Sequence, residues 1–432
     1  MHFKAALQLN NFGDSASERE ILLLPTLLQC LAELGGIKRN SAAEFDSAIK
    51  RFTGGISFSL HQGHIKYPVL SSDMSLLMST YGLTRNGEEM LGLLKEALLD
   101  CNFKGDQERI KMLISASAAS MSSSIASSGN RFAALKSASL FDSQRLGISE
   151  KTGGLSQARF LNDLMGEPIE KVANELEELR DHLLASSDNF KVALIHSEAD
   201  ESFKTKITDF LRDIGTKNKS IRANQHSIHN TNFGSHVFVP GPFSSNFTAM
   251  SMMPFKATPP SARESALLTL TARLLRSKHL HREIREKGGA YGSAASFSPL
   301  SGLFTFSSYR DPSPLNSLNV FKTASKALLT RDCPSEDDLL GAKLSAFSDL
   351  DAPVDVSSRG LQEFLYGPEM GSDTRRQEYR DALRSCSLKD IQNTLEGVIM
   401  PFIGDSKVCV IGEAGKTEEF KNDSSHKWEI EH

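Results

Sequence analysis

The sequence predicts an α+β chain of two tandem, similarly ordered domains, and three observations carry that prediction. Its 432 residues exceed what one hydrophobic core commonly serves. Segments with helical spacing of apolar residues are interleaved with short alternating segments of strand type. One order of elements, helix, shorter helix, Gly-Gly and strand, also occurs twice, about half the chain apart, which reads as an internal duplication.

The first segment, "HFKAALQL", alternates as a strand. A helix is expected near Leu24 and Pro25, where proline suits the first turn. Leu24, Leu27, Leu28, Leu31 and Leu34 form its buried stripe, and Gly35-Gly36 ends it. A short helix over Ala43–Arg51 then runs into "FTGGISFSLH", where Gly54-Gly55 opens onto a strand. The Ser/Ala-rich stretch "ISASAASMSSSIASSGNRFAALKSAS" reads as a closely packed small-residue helix. Ile169, Val172, Leu176, Leu179 and Leu183 mark a core helix with a solvated acidic face. "NFKVALIHS" closes the first copy as a strand, and "GTKNKSIRANQHSIHNTNFG" reads as a connection. The second copy has an amphipathic helix from Ser261, a short helix "HLHREIREK" and the strand opening "GGAYGSAASF". The expected division is a first domain over 1–200, a connection over 201–232 and a second domain over 233–432.

Composition excludes several partners. The net charge of -4 comes from 49 basic and 53 acidic residues spread through the chain, with no basic stripe to engage nucleic acid. The longest apolar run, "ILLLPTLLQCLA", is broken by Pro25 and Gln29 and falls short of the roughly 18 residues of a spanning helix, so no membrane partner is expected. "MHFKAALQLN" lacks the profile of a signal peptide, and any organelle address is expected outside this chain. Cys30, Cys101, Cys333, Cys386 and Cys409 are scattered and never paired as C-x-x-C, the pattern of reduced thiols.

The chemistry concentrates in "HLHREIREKGGAYGSAASF", His279 to Phe297. His279 and Glu283 share a helical face but offer two ligands where a catalytic zinc takes three, while His281 faces elsewhere. Neither H-E-x-x-H nor H-x-x-E-H occurs, and His61 with His64 or His226 with His229 lack an acidic or Cys partner at useful spacing. No metal is expected in this chain. Gly288, Gly289 and Gly292 match no phosphate-loop pattern, and they follow a helix and precede a strand, the reverse of the nucleotide-binding order. The strand itself is unusual. Tyr291, Ser293, Ala295 and Phe297 alternate with a nearly bare face of Gly292, Ala294, Ser296 and Ser298, which admits close approach of a packed helix or an extended peptide.

"EIREKGGAYG", followed by "GLFTFSSYRDP", "AKLSAFSDLDAPVDVSSRG" and "FLYG", resembles the C-terminal half of presequence proteases, the insulinase/pitrilysin-type zinc peptidases that degrade targeting peptides. "LLPTLLQCLAELGG" with "KRFTGGISFSLH" is similar to the start of that half, so the resemblance runs in order along nearly the whole chain. It implies the pitrilysin/mitochondrial-processing-peptidase-like fold, each domain a mostly antiparallel sheet with helices on one face. It also implies a peptidase of two halves closing a chamber around an unstructured peptide such as a targeting presequence, with the zinc motif in the N-terminal half.

At the matching helix this chain carries Thr26, Gln29 and Cys30, which cannot replace a zinc-binding set. The resemblance therefore implies no cofactor in this chain and Zn in an N-terminal catalytic half, in the same chain or as a separate subunit. By itself the chain is expected to be inactive. The family's substrate-contacting Arg and Tyr match Arg285 and Tyr291, with Gly289 and Gly292 letting the peptide backbone approach and Arg273 matching a basic residue able to meet a peptide carboxylate. Arg310, before an Asp-Pro turn, is expected to pin that turn by a salt bridge. The implied location is the mitochondrial matrix or another organelle lumen. The alternative is a stand-alone, non-catalytic peptide-binding or scaffold subunit of the same fold.

Overall fold

The structure, a computed structural model, describes residues 1–9, 12–37, 39, 41–63, 73–196, 201–215, 234–256, 258–358 and 360–431. Strands β1 (His2–Leu9), β2 (Gly55–Gln62), β3 (Met74–Tyr81) and β4 (Ser187–Ile195) form one sheet in the order β2-β3-β1-β4. All its pairings are antiparallel. Strands β5 (His236–Gly241), β6 (Asn246–Met252), β7 (Gly292–Ser298), β8 (Leu303–Asp311), β9 (Lys407–Glu413) and β10 (Trp428–Ile430) form a second sheet, ordered β10-β5-β9-β6-β8-β7. Within it β7–β8, β8–β6 and β6–β9 are antiparallel, whereas β9–β5 and β5–β10 are parallel. The run β7-β8-β6-β9 repeats the antiparallel arrangement β2-β3-β1-β4, and in each the strand that follows a Gly-Gly segment lies at the edge of the sheet.

The first core forms where the period of two meets the period of 3.6. Phe3, Ala5, Leu7 and Leu9 are buried on β1, and the expected stripe Leu24, Leu27, Leu28, Leu31 and Leu34 is buried with them. That helix spans Glu18–Glu33 and so starts before Pro25, contrary to the sequence reading. Ser17 and Glu20 cap it reciprocally, the Ser17 N–H donating to Glu20 Oε2 at 2.7 Å and the Glu20 N–H to Ser17 Oγ at 3.3 Å. Pro25 consequently sits inside the helix, where it supplies no N–H for the Ile21 carbonyl. Gly35, at φ 76°, ends the helix, and a Cβ there would stand 2.6 Å from the Phe45 side chain.

The small-residue stretch belongs to a helix over Gln107–Ser139 with a break in helical geometry at Ser128. Its second part crosses to the other sheet. Phe132, Ala133 and Leu140 pack with Val237, Phe247, Ala249, Cys409 and Ile411 in one buried cluster. A Cβ on Gly129 would fall 2.2 Å from the Phe247 ring, so the helix needs glycine at that contact. The second sheet thus carries its own helices on one face, centred on the helix Ala262–Leu275, and is sealed on the other by a helix of the first unit.

An ion cluster adds to this join. The Glu431 carboxylate lies 2.7 Å from Lys136 Nζ and also pairs with Arg159, with Lys136 only 3% exposed. Burial alone would raise the Glu431 carboxyl, but Lys136 and Arg159 hold it below its ordinary value.

The stretch 201–232 is not all connection. Glu201–Gly215 is a helix whose Phe203, Ile207, Phe210 and Ile214 enter the first core. The rest of that stretch, with His226 and His229, lies outside the described residues, as does His64. All five cysteines are free, and four are buried. Among the described residues no helix is long and apolar enough to cross a membrane.

Candidate functional site

The helix Ala262–Leu275 starts at a capping box, Ser261 with Glu264, and continues without a break into Arg276–Glu286, which winds as a π-helix. The separate short helix expected at "HLHREIREK" is therefore a wider-turned extension of the first. Most of its polar side chains are engaged internally. Buried His279 has Nδ1 2.7 Å from Asp332 Oδ2, and Arg282 donates to Asp332 Oδ1 at 2.7 Å. Burial would raise the Asp332 carboxyl, yet Arg282 and His279 hold it below the usual carboxylate range. Glu283 pairs with Lys287 and Arg282, each at 3.0 Å, and Lys278 with Asp338 at 3.0 Å.

Arg285 differs. It is exposed and its Nη1 lies 3.1 Å from His281 Nε2, with no carboxylate partner among the described residues. The turn after it is closed by its own backbone. The Gly289 N–H donates to the Arg285 carbonyl at 3.1 Å, the Ala290 N–H to Ile284 at 3.1 Å and the Tyr291 N–H to Tyr309 at 3.0 Å. These N–H groups already have acceptors, so the turn is no phosphate cradle. Gly289 sits at φ 77°, a left-handed conformation that favours glycine.

Tyr291 emerges from this turn 70% exposed, just before β7, the edge strand. On β7, Ala295 and Phe297 pack against the second core, while Ser296 on the bare face is exposed and Gly292, Ala294 and Ser298 are partly so. A Cβ on Gly292 would meet nothing closer than Tyr309 Cβ at 3.8 Å. Among the described residues no strand pairs with the outer edge of β7, which leaves backbone groups for a further strand.

Two sequence expectations change here. Arg310 makes no ion pair among the described residues. Its guanidinium lies over the rings of Tyr291 (5.7 Å) and Tyr309 (5.4 Å), and its backbone adopts φ 48°, the one non-glycine residue described with positive φ. Sequence reasoning missed this shelf because nothing local in "SYRDP" announces a left-handed arginine. Arg273 is already engaged, with Nη1 donating to Ser345 and Nη2 to Asp349 at 2.5 Å, so a peptide carboxylate would have to displace Asp349.

On the helix Glu18–Glu33, Thr26, Gln29 and Cys30 are poorly suited to hold a metal. Cys30 is fully buried, and burial pushes its thiol well above its ordinary value, as it pushes Cys101 up to about 12. Gln29 Oε1 accepts from Ser117 at 2.8 Å, and Thr26 offers only a hydroxyl. Among the described residues no three His, Cys, Asp or Glu side chains stand together as ligands.

Comparison with known proteins agrees with this reading of the fold. Residues 3–164 match the family described as associated with peptidase family M16, subfamily C, and residues 242–411 match the presequence-protease (PreP) C-terminal domain. The mitochondrial presequence protease of Yarrowia lipolytica is 30% identical over 415 residues, covering 94% of this chain and 40% of the relative, so the chain spans less than half that protein's length. The fold is shared with a peptidase M16 inactive domain from Pseudomonas fluorescens (TM-score 0.61, 13% identity, 95% of this chain and 92% of that one). Pitrilysin shares it as well (TM-score 0.59, 14% identity, 100% of this chain and 43% of that one). With the two family matches over residues 3–164 and 242–411 and a presequence protease aligned along 94% of the chain, the chain belongs to the M16 peptidase family and corresponds to the C-terminal half of presequence proteases.

Proposed function

We propose that this chain is the non-zinc half of a presequence-protease-like metalloendopeptidase, closing a chamber around an unstructured peptide and presenting Arg285 and Tyr291 to it. One observation carries the reading. In a segment whose other polar groups are mostly paired internally, these two project outward beside an open strand edge. The Tyr291 hydroxyl would donate to the oxyanion that develops on the scissile carbonyl, and the Arg285 guanidinium would hold a peptide carbonyl or carboxylate. Gly292 leaves room for the peptide backbone. Zinc, held by an N-terminal half in the same chain or a separate subunit, would supply the activated water. The mitochondrial naming of the curated relative supports a place in the mitochondrial matrix or another organelle lumen.

The chain alone should not cleave unstructured peptides, and mixing it with a matching zinc-bearing half should give activity. Chelator-sensitive cleavage by the isolated chain would overturn the proposal. In the assembled enzyme Arg285→Ala should act partly through KM, and Arg285→Lys should rescue only in part, because a point charge lacks the planar fork. A second reading has support in the fold shared with an inactive M16 domain: a non-catalytic peptide-binding or scaffold subunit. Peptide binding that never leads to turnover with any zinc-bearing half would favour it.

A further inference from the structure

Away from Arg285 and Tyr291, two hollows of about 420 and 430 Å³ flank the helix Glu18–Glu33 and share Pro25, Gln29 and Thr152 on their walls. They form one groove. At one end five consecutive residues of β2, Ile56 to Leu60, line it. Side chains on a strand alternate between faces, so contact with five in a row means that the groove runs along the edge of the strand. β2 is an edge strand, and among the described residues none pairs with its outer side. Its free N–H and C=O groups therefore face the groove.

At the other end lies Gln157. It is 1% exposed, and both its Oε1 and its Nε2 lack a hydrogen-bond partner. A buried primary amide without partners is unfavourable by its desolvation alone, so its presence calls for a reason. One amide carries the donor and acceptor that complement one peptide group. Among the described residues no charged side chain lines either hollow, which favours a neutral ligand over a phosphate, carboxylate or ammonium group.

We propose that this groove binds an extended, uncharged peptide segment as an added strand on β2, with Gln157 contacting a backbone amide of that segment. The site is independent of Arg285 and Tyr291 and would hold a peptide without cutting it.

The test uses the full chain and a fluorescein-labelled, end-capped twelve-residue peptide of Val, Thr, Ser and Gln. Fluorescence anisotropy should show saturable binding, and hydrogen exchange should show new protection across residues 55–62. Gln157→Leu should weaken binding by about tenfold or more while the melting temperature holds or rises, because an unpartnered buried amide is removed. A variant that loses binding and melting temperature together would mark Gln157 as a packing residue and overturn the proposal. Protection confined to β7 would also overturn it, while leaving the reading of Arg285 and Tyr291 intact, and so would absence of binding. The exchange measurement on the unmodified chain decides the matter even where the variant fails to fold.

Discussion

The two Gly-Gly turns share one order of elements and end differently. In the first copy an α-helix over Ala42–Phe52 precedes the turn, and β2 begins at the second glycine, Gly55. The Tyr81 ring covers the turn, since a Cβ on Gly54 would lie 2.1 Å from it, and the Gly54 N–H donates to the Tyr81 carbonyl at 2.7 Å. In the second copy the preceding segment is a π-helix, and Ala290 and Tyr291 intervene before β7 begins at Gly292. In one turn a half-exposed tyrosine ring from the neighbouring strand lies over the glycine, whereas the other turn projects its own phenol into solvent. Five residues (287–291) separate helix from strand here against two (53–54) in the first copy, and the π-helical turn before them is of a kind frequent at functional sites.

The largest expected effect breaks the comparison at Tyr291. In the assembled enzyme Tyr291→Phe should lower kcat by about 10²-fold, the scale of one lost oxyanion donor, with little change in KM or melting temperature. Intact turnover with a lower melting temperature would make Tyr291 a structural residue like Tyr81. Next in size is a matched pair of glycine substitutions. Gly54→Ala drives a methyl group into the Tyr81 ring and should lose about 1–3 kcal/mol in denaturant unfolding. Gly292→Ala meets only ordinary contact and should stay within about 0.5 kcal/mol. Equal losses would show that both turns are packed alike.

Arg310→Gly is subtler. Glycine relieves a left-handed strain of about 1–3 kcal/mol but adds disorder to the unfolded chain worth about 0.5–1 kcal/mol. Stability should therefore hold or rise, while turnover falls a fewfold as Tyr291 loses the guanidinium over its ring. A clear loss of stability would make Arg310 a packing residue.

How much was legible depended on whether the information was local. The Leu24 to Leu34 stripe, the helix start at Ser261 and the repeated element order were readable because periodicity and capping act within a few residues. The earlier helix start is local as well, in the Ser17–Glu20 box, and competes in the sequence with the start signal of Pro25. Phe203, Ile207, Phe210 and Ile214 also carry helical spacing, within the stretch 201–232 whose polar composition reads as a connection. Other features depend on residues distant in sequence. The small residues around Gly129 announced close packing without saying that Phe247 was the partner. Likewise Arg273 met Asp349, and Arg310 met two tyrosine rings in place of the expected carboxylate. Of the site itself, sequence supplied Arg285 and Tyr291 by resemblance, but their exposure required the fold.

The smallest effect sharpens a further difference between the copies, because among the described residues β5 and β10 have no counterpart in the first sheet. His236 on β5 packs against His426, tilted, and Trp428, edge-on, with ring centroids 4.5 and 5.4 Å away. Burial first, then His426 and Lys322, push its imidazole down to about 4, against an opposing pull from Asp423. The folded state thus keeps His236 neutral where the unfolded chain takes a proton near pH 6.5. Its contribution to stability is complete above pH 6.5 and is lost as the pH falls toward 4. Carboxylates such as Glu431, held low by cationic partners, lose their contribution only below their ordinary range, so the window from pH 6.5 to 5 reports on the imidazoles that burial lowers, His236 and, in the first sheet, His61. Thermal melts at those two pH values should show a smaller drop for His236→Phe than for the unsubstituted chain. Equal drops would mean that some other group sets the acid sensitivity of the second sheet.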